Sequence, residues 1–359
     1  MSEAFNVAII GAGIGAEHLL AYLELPARFS VVTVCDLDKP RAASIADSHG
    51  IAVTTDFQQV LSDPAVDLVD ICLPPNLHFD TACQAIEAGK HVICEKPLVS
   101  SVHEADALTA VVNASRCRLF PVFQYRYGLA TEQLQALISA GLAGKPYVAS
   151  IETHWNRGAD YYSVPWRGTF AGEQGGAVLC HAIHNHDLLC RFFGPVHSVC
   201  AMTATRVNPI ETEDCASISF AMQNGALASS SISLGAATDT TRLRFCFEQL
   251  TAESGCTPYA PATDQWVFSA RDPQQQSQVD QIVQQVHCEY SGYTGYFNAI
   301  ADALQGNAGK EVLMSDGRRS IELVAAIYQS AREHRMVALP LDHSSEFYHH
   351  LHGGAGDRS

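Results

Sequence analysis

The chain has 359 residues, 47% hydrophobic and 17% charged, which supports a core for about two domains and leaves little room for long disordered tracts. Its 22 basic against 38 acidic residues give a formal charge of -16, which argues against broad nucleic-acid or anionic-membrane surfaces. No apolar run approaches the roughly 18 residues of a membrane-spanning helix, and Met1-Ser2-Glu3-Ala4 lacks the pattern of a signal peptide. The twelve cysteines include no CxxC pair and read as small buried thiols in a reducing cytoplasm, not as a disulfide or zinc framework.

Phe5 to Ile10 reads as a strand buried on both faces, followed by Gly11-Ala12-Gly13-Ile14-Gly15-Ala16 and a helical pattern to about Leu25. Val31 to Cys35 is a second strand, ending at Asp36, and Arg41 to His49 a second helix. Leu68 to Leu73, His91 to Cys94 and Leu119 to Phe123 are further strands, with a helix over Phe79 to Ala88. This alternation predicts parallel βαβ units in a doubly wound sheet over residues 1–123. From 124 to 359 the pattern changes. Gly141 to Pro146 reads as a loop, and Ser198 to Thr205, Ala216 to Met222, Ala226 to Leu234 and Arg242 to Phe247 as consecutive strands, with Asn224-Gly225 a hairpin turn. A second, α+β domain with an open, mainly antiparallel sheet follows. Pro273 to Gln285 reads as a surface loop or helix edge, Asp316 to Arg335 as a late helix, and the His-rich Tyr348 to His352 as a loose tail.

Gly-x-Gly-x-x-small between a strand and a helix is the context of a dinucleotide loop. Gly11 permits the tight turn, Gly13 lets backbone approach a pyrophosphate, and Ala16 is the small third residue. Ile14 and Gly15 complete the cradle at the helix N-terminus, where free N–H groups and the helix dipole favour phosphate. Asp36 ends the second strand, placed to accept both ribose hydroxyls and to repel a 2′-phosphate. It favours NAD over NADP, although Lys39 and Arg41 lie close by. Lys96 stands just past the carboxyl end of a central strand, where open parallel sheets bind ligands; such a lysine is otherwise a solvated one.

Several motifs stand in one order: Gly11-Ala12-Gly13, Pro75-Asn76-Leu77-His78, Glu95-Lys96-Pro97, Gly141 to Pro146, Trp166-Arg167, Gly175 to Leu179, His184 with Asp187, Glu213-Asp214, and Ala325 to Ser330. In this order, over nearly the whole chain, the sequence resembles the glucose-fructose oxidoreductase, inositol dehydrogenase and rhizopine-catabolism (Gfo/Idh/MocA) family. The resemblance implies an N-terminal Rossmann domain, a C-terminal substrate domain and NAD(P)-dependent oxidation of a sugar or polyol hydroxyl. By it Lys96 is the catalytic lysine, and Leu73, Pro74, Pro75, Asn76, His78, Glu95 and Gln124 join Lys96 in the cofactor-binding set.

Val178 to Phe193 reads as a helix that puts Cys180, His184 and Asp187 on one face. His184 is the expected proton acceptor, with Asp187 placed to orient it. Many members of the family carry an aspartate where Cys180 stands. A neutral thiol cannot replace that charge, so proton transfer falls on His184 and Lys96, with His181 a stand-in. No metal is expected: His184 and His186 project about 200° apart on a helix. Trp155, Asn156, Arg157, Tyr161, Trp166 and Arg167 gather aromatic faces and guanidinium groups suited to a sugar derivative, with Arg126 beside them. The same residues also read as loop packing, with Arg167 paired to Glu173 and Arg126 in a salt bridge between domains.

The expectation is a cytoplasmic NAD-dependent dehydrogenase of a sugar, inositol or sugar derivative, assembled as a homodimer or homotetramer, because the broad sheet needs its outer face covered. The alternatives are a redox-neutral NAD-dependent glycosidase or lyase, and a non-catalytic NAD-binding regulatory protein of the same fold.

Overall fold

A computed structural model describes residues 4–351. The Met1–Glu3 segment and the end of the His-rich tail, His352 included, lie outside the described residues. The chain divides into two compact units, one running to Phe123 and taking up Tyr293–Arg319, the other formed by Gln124–Gly292 with the chain from Ser320 onward.

In the first unit, strands and helices alternate as β1 (Phe5–Ile10), α1 (Gly15–Leu23), β2 (Phe29–Cys35), α2 (Lys39–Ala46), β3 (Ala52–Thr54), α3 (Phe57–Ser62), β4 (Leu68–Ile71), α4 (His78–Glu87), β5 (His91–Cys94), α5 (Val102–Asn113) and β6 (Leu119–Pro121). The strands form one parallel sheet in the order β3-β2-β1-β4-β5-β6, so the chain reverses direction across the sheet between β1 and β4. That reversal opens a crevice at the carboxyl ends of the strands, which sets where a ligand can sit. Local chemistry starts the helices. Asp38 accepts from the Arg41 N–H at the head of α2, and Ser101 from the Glu104 N–H at the head of α5, while Glu104 reaches back to the Ser100 N–H.

The second unit contains α6 (Leu129–Ser139), β7 (Pro146–Asn156), α7 (Ile183–Phe193), β8 (Val196–Ala204), β9 (Cys215–Met222), β10 (Leu227–Ser233), β11 (Gly235–Phe247), β12 (Leu250–Glu253), β13 (Val267–Ala270) and α8 (Gln276–Gln285). Three further helices, α9 (Gly292–Leu304), α10 (Met314–Glu333) and α11 (Glu346–His349), and a short strand, β14 (Val337–Ala338), complete the chain. Eight strands form a mixed sheet, β13-β12-β11-β7-β10-β9-β8-β14, antiparallel except where β10 runs parallel to β7. One face of that sheet is packed by α7, whose Asn185 amide donates to the Thr153 hydroxyl (2.8 Å) and whose Phe193 lies against Phe245.

Of the two readings of the Gln-rich stretch the structure takes the helical one: Asp272 accepts from the Gln274 N–H, and α8 follows with Val279 buried. Two expectations need correction. The tail is anchored through residue 351, since Phe347, Tyr348 and Leu351 are buried. Finally, Tyr293–Arg319 completes the first unit rather than the second. Tyr22 stacks on Phe297 (4.0 Å between ring centroids), and the Tyr296 hydroxyl donates to the carbonyls of Phe120 and Pro121.

The Asn224-Gly225 turn joins β9 to β10, with the Gly225 N–H bonded to the Met222 carbonyl and a φ of 89°. Because an L side chain in that left-handed region costs roughly 1–2 kcal/mol, we expect Gly225→Ala to lower stability by about that amount in urea unfolding monitored by circular dichroism.

Candidate functional site

In the first unit the glycine-rich turn is built by close approaches. Gly11 has φ of 101°, and a Cβ there would sit 2.5 Å from the Cys72 carbonyl oxygen, so only glycine lets β1 end against β4. A Cβ on Gly13 would meet nothing within 4 Å, which leaves that backbone open to an approaching pyrophosphate. The tight helix–strand contact falls on Gly15, whose Cβ would lie 2.7 Å from Ile9, and not on Ala16 as expected: Gly15 is buried at the first turn of α1, Ala16 only half-buried. Ile14 is exposed beside it.

Asp36 lies at the carboxyl end of β2, buried, with four donors on its carboxylate. They are the N–H groups of Ala12 and Asp38, both at 2.8 Å, and Arg41 through Nε (3.1 Å) and Nη2 (2.7 Å). Burial works to raise its pKa, but Arg41 and the two backbone donors outweigh burial and hold it below the usual carboxylate range. The ribose carboxylate expected from the sequence therefore carries an arginine clamp, and the Arg41 side chain is half exposed.

At the next two strand ends, Leu73 and Pro74 are half-buried, Pro75 is buried and Asn76 exposed. His78 was expected to line the cofactor pocket, yet it is fully buried, with Nδ1 2.7 Å from the Pro97 carbonyl and Nε2 2.8 Å from that of Leu73. It braces one turn against the other. Burial pushes its pKa down against the pull of the two carbonyls. Lys96 is half-buried, two residues past β5, and its bond to Pro97 is cis. Glu95 likewise turns inward. Its carboxylate takes the Lys96 N–H (2.9 Å), the Tyr293 hydroxyl (3.1 Å) and His18 Nε2 (3.1 Å). His18, Asp70 and Tyr293 escaped the sequence reading. The one available signal was Asp70, a carboxylate inside an otherwise apolar strand.

In the second unit, the segment before α7 is not regular α-helix. Val178–Ala182 forms a π-turn, and α7 starts at Ile183, so the even helical face expected for Cys180, His184 and Asp187 is broken. The Cys180 thiol lies against the carbonyls of Gly175 (3.5 Å) and Glu173 (3.8 Å). His184 is buried with Tyr125 stacked on its ring at 4.4 Å. Asp187 does not orient it: the carboxylate is held bidentately by Arg126, through Nε (2.6 Å) and Nη2 (2.5 Å), with both side chains buried. Arg126 and Asp187 thus occupy each other within one unit. Gln124, also in this unit, keeps a buried side-chain oxygen without a hydrogen-bond partner.

The expected aromatic group does assemble. Arg157, ion-paired to Asp239, lies over Trp155, Tyr161 and Tyr259 at 5.1 to 5.4 Å. Arg167 sits 3.9 Å over Tyr161 and 5.0 Å over Trp166, not on Glu173, which instead accepts from the Gly168 N–H. The Tyr161 hydroxyl is 3.4 Å from His181 Nε2, linking this cluster to the π-turn. Trp155 is buried, its indole N–H given to Thr241 (3.1 Å), and Asn156 is exposed at the end of β7. His186 faces Ser230 and Phe220.

The glycines before the π-turn are explained by Glu213. A Cβ on Gly176 would lie 1.9 Å from the Glu213 carbonyl oxygen, and one on Gly175 2.5 Å from the Tyr328 hydroxyl. The Glu213 carboxylate accepts from the N–H groups of Gly176 (3.0 Å) and Val178 (2.9 Å) and from Tyr328 (2.9 Å), capping the π-turn. Burial pushes its pKa up to about 7 despite these donors.

Residues 5–123 match the model of the GFO/IDH/MocA oxidoreductase family with its NAD-binding Rossmann fold, and residues 131–253 the GFO/IDH/MocA C-terminal domain. An uncharacterized oxidoreductase of Synechocystis is 29% identical over 244 residues, 62% of this chain and 64% of that protein. A D-glucoside 3-dehydrogenase of Escherichia coli is 31% identical over 191 residues, 52% of this chain and 53% of that one. The aligned stretch thus spans about half to two thirds of the length of these curated relatives. Among solved structures, the WlbA dehydrogenase from Bordetella pertussis, in complex with NADH and UDP-GlcNAcA, superposes with a TM-score of 0.84 at 26% identity, covering 95% of this chain and 99% of that chain.

Two expected outcomes follow from this geometry. Arg41→Ala should weaken NADP binding more than NAD binding, because it removes the cation nearest a 2′-phosphate and frees the Asp36 oxygens; titration of both cofactors by fluorescence reads the ratio. Glu213 is protonated more readily folded than unfolded, so its contribution to stability falls as pH rises from about 4.5 to about 7 and is level above that. Glu213→Gln should remove that slope from melting midpoints measured between pH 4.5 and 8.

Proposed function

Because the chain belongs to the GFO/IDH/MocA oxidoreductase family, we propose that it is an NAD-dependent dehydrogenase acting on a hydroxyl of a sugar or sugar derivative. The observation that carries this reading is the pairing, within one sheet, of an open glycine turn suited to a pyrophosphate with Lys96 at a carboxyl edge of the same sheet. NAD fits these residues. Gly11 to Gly15 would hold its phosphates and Asp36 its adenosine ribose, and bound NAD would supply the hydride acceptor. Lys96 holds a positive charge against the alkoxide that develops on the substrate. His184 accepts the hydroxyl proton, in a ring orientation fixed by the stacked Tyr125. Cys180 turns its thiol to backbone carbonyls and leaves the proton to His184.

The guanidinium and aromatic cluster around Tyr161 supports a sugar or sugar-derivative substrate, in keeping with the glucoside dehydrogenase relative and the nucleotide-sugar acid bound by the WlbA structure. Twelve free thiols support a cytoplasmic location. Among the described residues no helix is long and apolar enough to cross a membrane. The outer face of the eight-stranded sheet exposes Met202, Leu227, Val148 and Val267 among serines, which supports a homodimer or homotetramer.

The test is a panel of sugars, inositols and sugar acids with NAD, following absorbance of the reduced cofactor. On the substrate found, Lys96→Met and His184→Ala should each lose on the order of a hundred- to a thousandfold in kcat, whereas Cys180→Ala should keep most activity. Turnover of Lys96→Met near the wild-type rate would remove lysine from the reaction, and product formation without net reduced cofactor would indicate redox-neutral chemistry.

A further inference from the structure

Behind the Lys96 corner lies a closed group of polar side chains in a largely apolar sheet interior. His18, on α1 three residues after Gly15, is fully buried. Its Nδ1 is 2.8 Å from Asp70 Oδ2, on β4, and its Nε2 is 3.1 Å from Glu95 Oε1, just past β5. Other groups also face the ring. The Tyr22 hydroxyl, from α1, donates to the same Asp70 oxygen (3.0 Å), and the Cys72 sulfur lies 3.4 Å from Nδ1. From α9, the Tyr293 ring lies 4.5 Å from His18 while its hydroxyl donates to Glu95, and Phe297 meets the imidazole edge at 5.3 Å.

Two carboxylates at two ring nitrogens dictate the charge state. A neutral imidazole has one N–H and could donate to only one of them, so with both carboxylates ionised the two bonds require the imidazolium. Burial opposes that charge most strongly of any one cause, but Asp70 and Cys72 beside Nδ1 together outweigh it and hold His18 well above the ordinary histidine value. The opposite oxygen of Glu95 receives the Lys96 N–H at 2.9 Å. One cation therefore fixes the carboxylate that fixes the peptide leading into Lys96, and it does so from the helix whose first turn forms the dinucleotide loop.

We infer that His18 is a positioning residue: as a buried imidazolium it holds Glu95, and through Glu95 the backbone of Lys96, in register with the helix that carries the cofactor loop. This rests on the reading of Lys96 as the lysine of the reaction. Without His18, Glu95 is a buried carboxylate lacking its cation. It is then protonated more readily and loosens its hold on the Lys96 N–H. NAD, held by the turn ahead of α1, is affected far less.

The test uses the full chain with two variants that each keep one arm of the bridge. Gln places its amide nitrogen where Nε2 faces Glu95; Asn places its own where Nδ1 faces Asp70. On the substrate from the sugar panel, His18→Asn should lose on the order of a hundredfold in kcat, the scale set by displacing a reacting group by about 1 Å. His18→Gln should lose clearly less, and NADH affinity should stay close to wild type in both. The pH profile of kcat in His18→Asn should also differ from that of wild type, which carries the His184 base alone, and Glu95→Gln should remove that difference. Equal activities in Asn and Gln variants, falling only in step with melting temperature, would reduce His18 to packing and overturn the inference. Lys96→Met is run alongside. If it loses activity and His18→Asn does not, this inference alone fails; if Lys96→Met is indifferent, the role of Lys96 falls first and this inference with it. Should neither His18 variant fold, nitrogen-15 NMR of the wild-type ring decides: both ring nitrogens protonated at pH 8 supports the bridge, and a neutral ring at pH 7 overturns it.

Discussion

The first unit depends on how closely the end of β1 comes to the end of β4. Gly11 sits against the Cys72 carbonyl with no room for a side chain, and the turn that follows is bent by that contact. Its consequences run in both directions along the chain. Forward, it aims Gly13 into open space and lets α1 start at Gly15 against Ile9. Sideways, it brings α1 down onto β4, so that a side chain one turn into the helix meets a side chain in the strand. A dinucleotide loop and a buried ionic bridge are two results of one close approach.

Buried carboxylates organise much of the rest, and each is matched to donors that suit its place. Asp36 has an arginine and two backbone N–H groups, and is held ionised. Asp187 has the fork of Arg126. Glu213 has three neutral donors and no cation, and its pKa rises accordingly. That contrast follows from physics: a charge in a low-dielectric interior is tolerated where a counter-charge touches it, and otherwise the proton returns. Within the second unit, a buried ion pair thus anchors Arg126 to α7, while the uncharged donors around Glu213 cap the π-turn just before it.

Strands of the first sheet were legible because burial on both faces writes itself as short apolar runs, as in Val7–Ile10 and Val92–Cys94. The hairpin at Asn224-Gly225 was legible because a positive φ demands glycine. β7 was not. It alternates buried Ala149, Ile151, Thr153 and Trp155 with polar residues, and its aromatic end reads equally well as a binding loop. Nor could spacing reveal the π-turn, whose extra residue comes from Gly176 pressing on Glu213, a contact 37 positions away in sequence. Arg126 and Asp187 both stood out as charged residues, but their mutual pairing is a tertiary fact. His18 carried no pattern at all, since one histidine in a helix is ordinary until Asp70 and Glu95 stand beside it.

The return of Tyr293–Arg319 to the first unit has a consequence for synthesis. Tyr22, Phe29 and His18 find their ring partners in Tyr293 and Phe297, and Arg118 finds Glu311. During translation, the six-stranded sheet emerges whole by Pro121, but the surface those partners cover stays bare until most of the chain has left the ribosome. In the interval the nascent cofactor-binding unit is an unfinished body with an aromatic face open to solvent. Seven strands of the eight-stranded sheet, β7 to β13, precede Tyr293–Arg319 in the chain, and β14 follows it. The first unit is therefore completed late in the synthesis of the chain, after Gln124–Gly292 of its neighbour and before the rest of that unit from Ser320 onward.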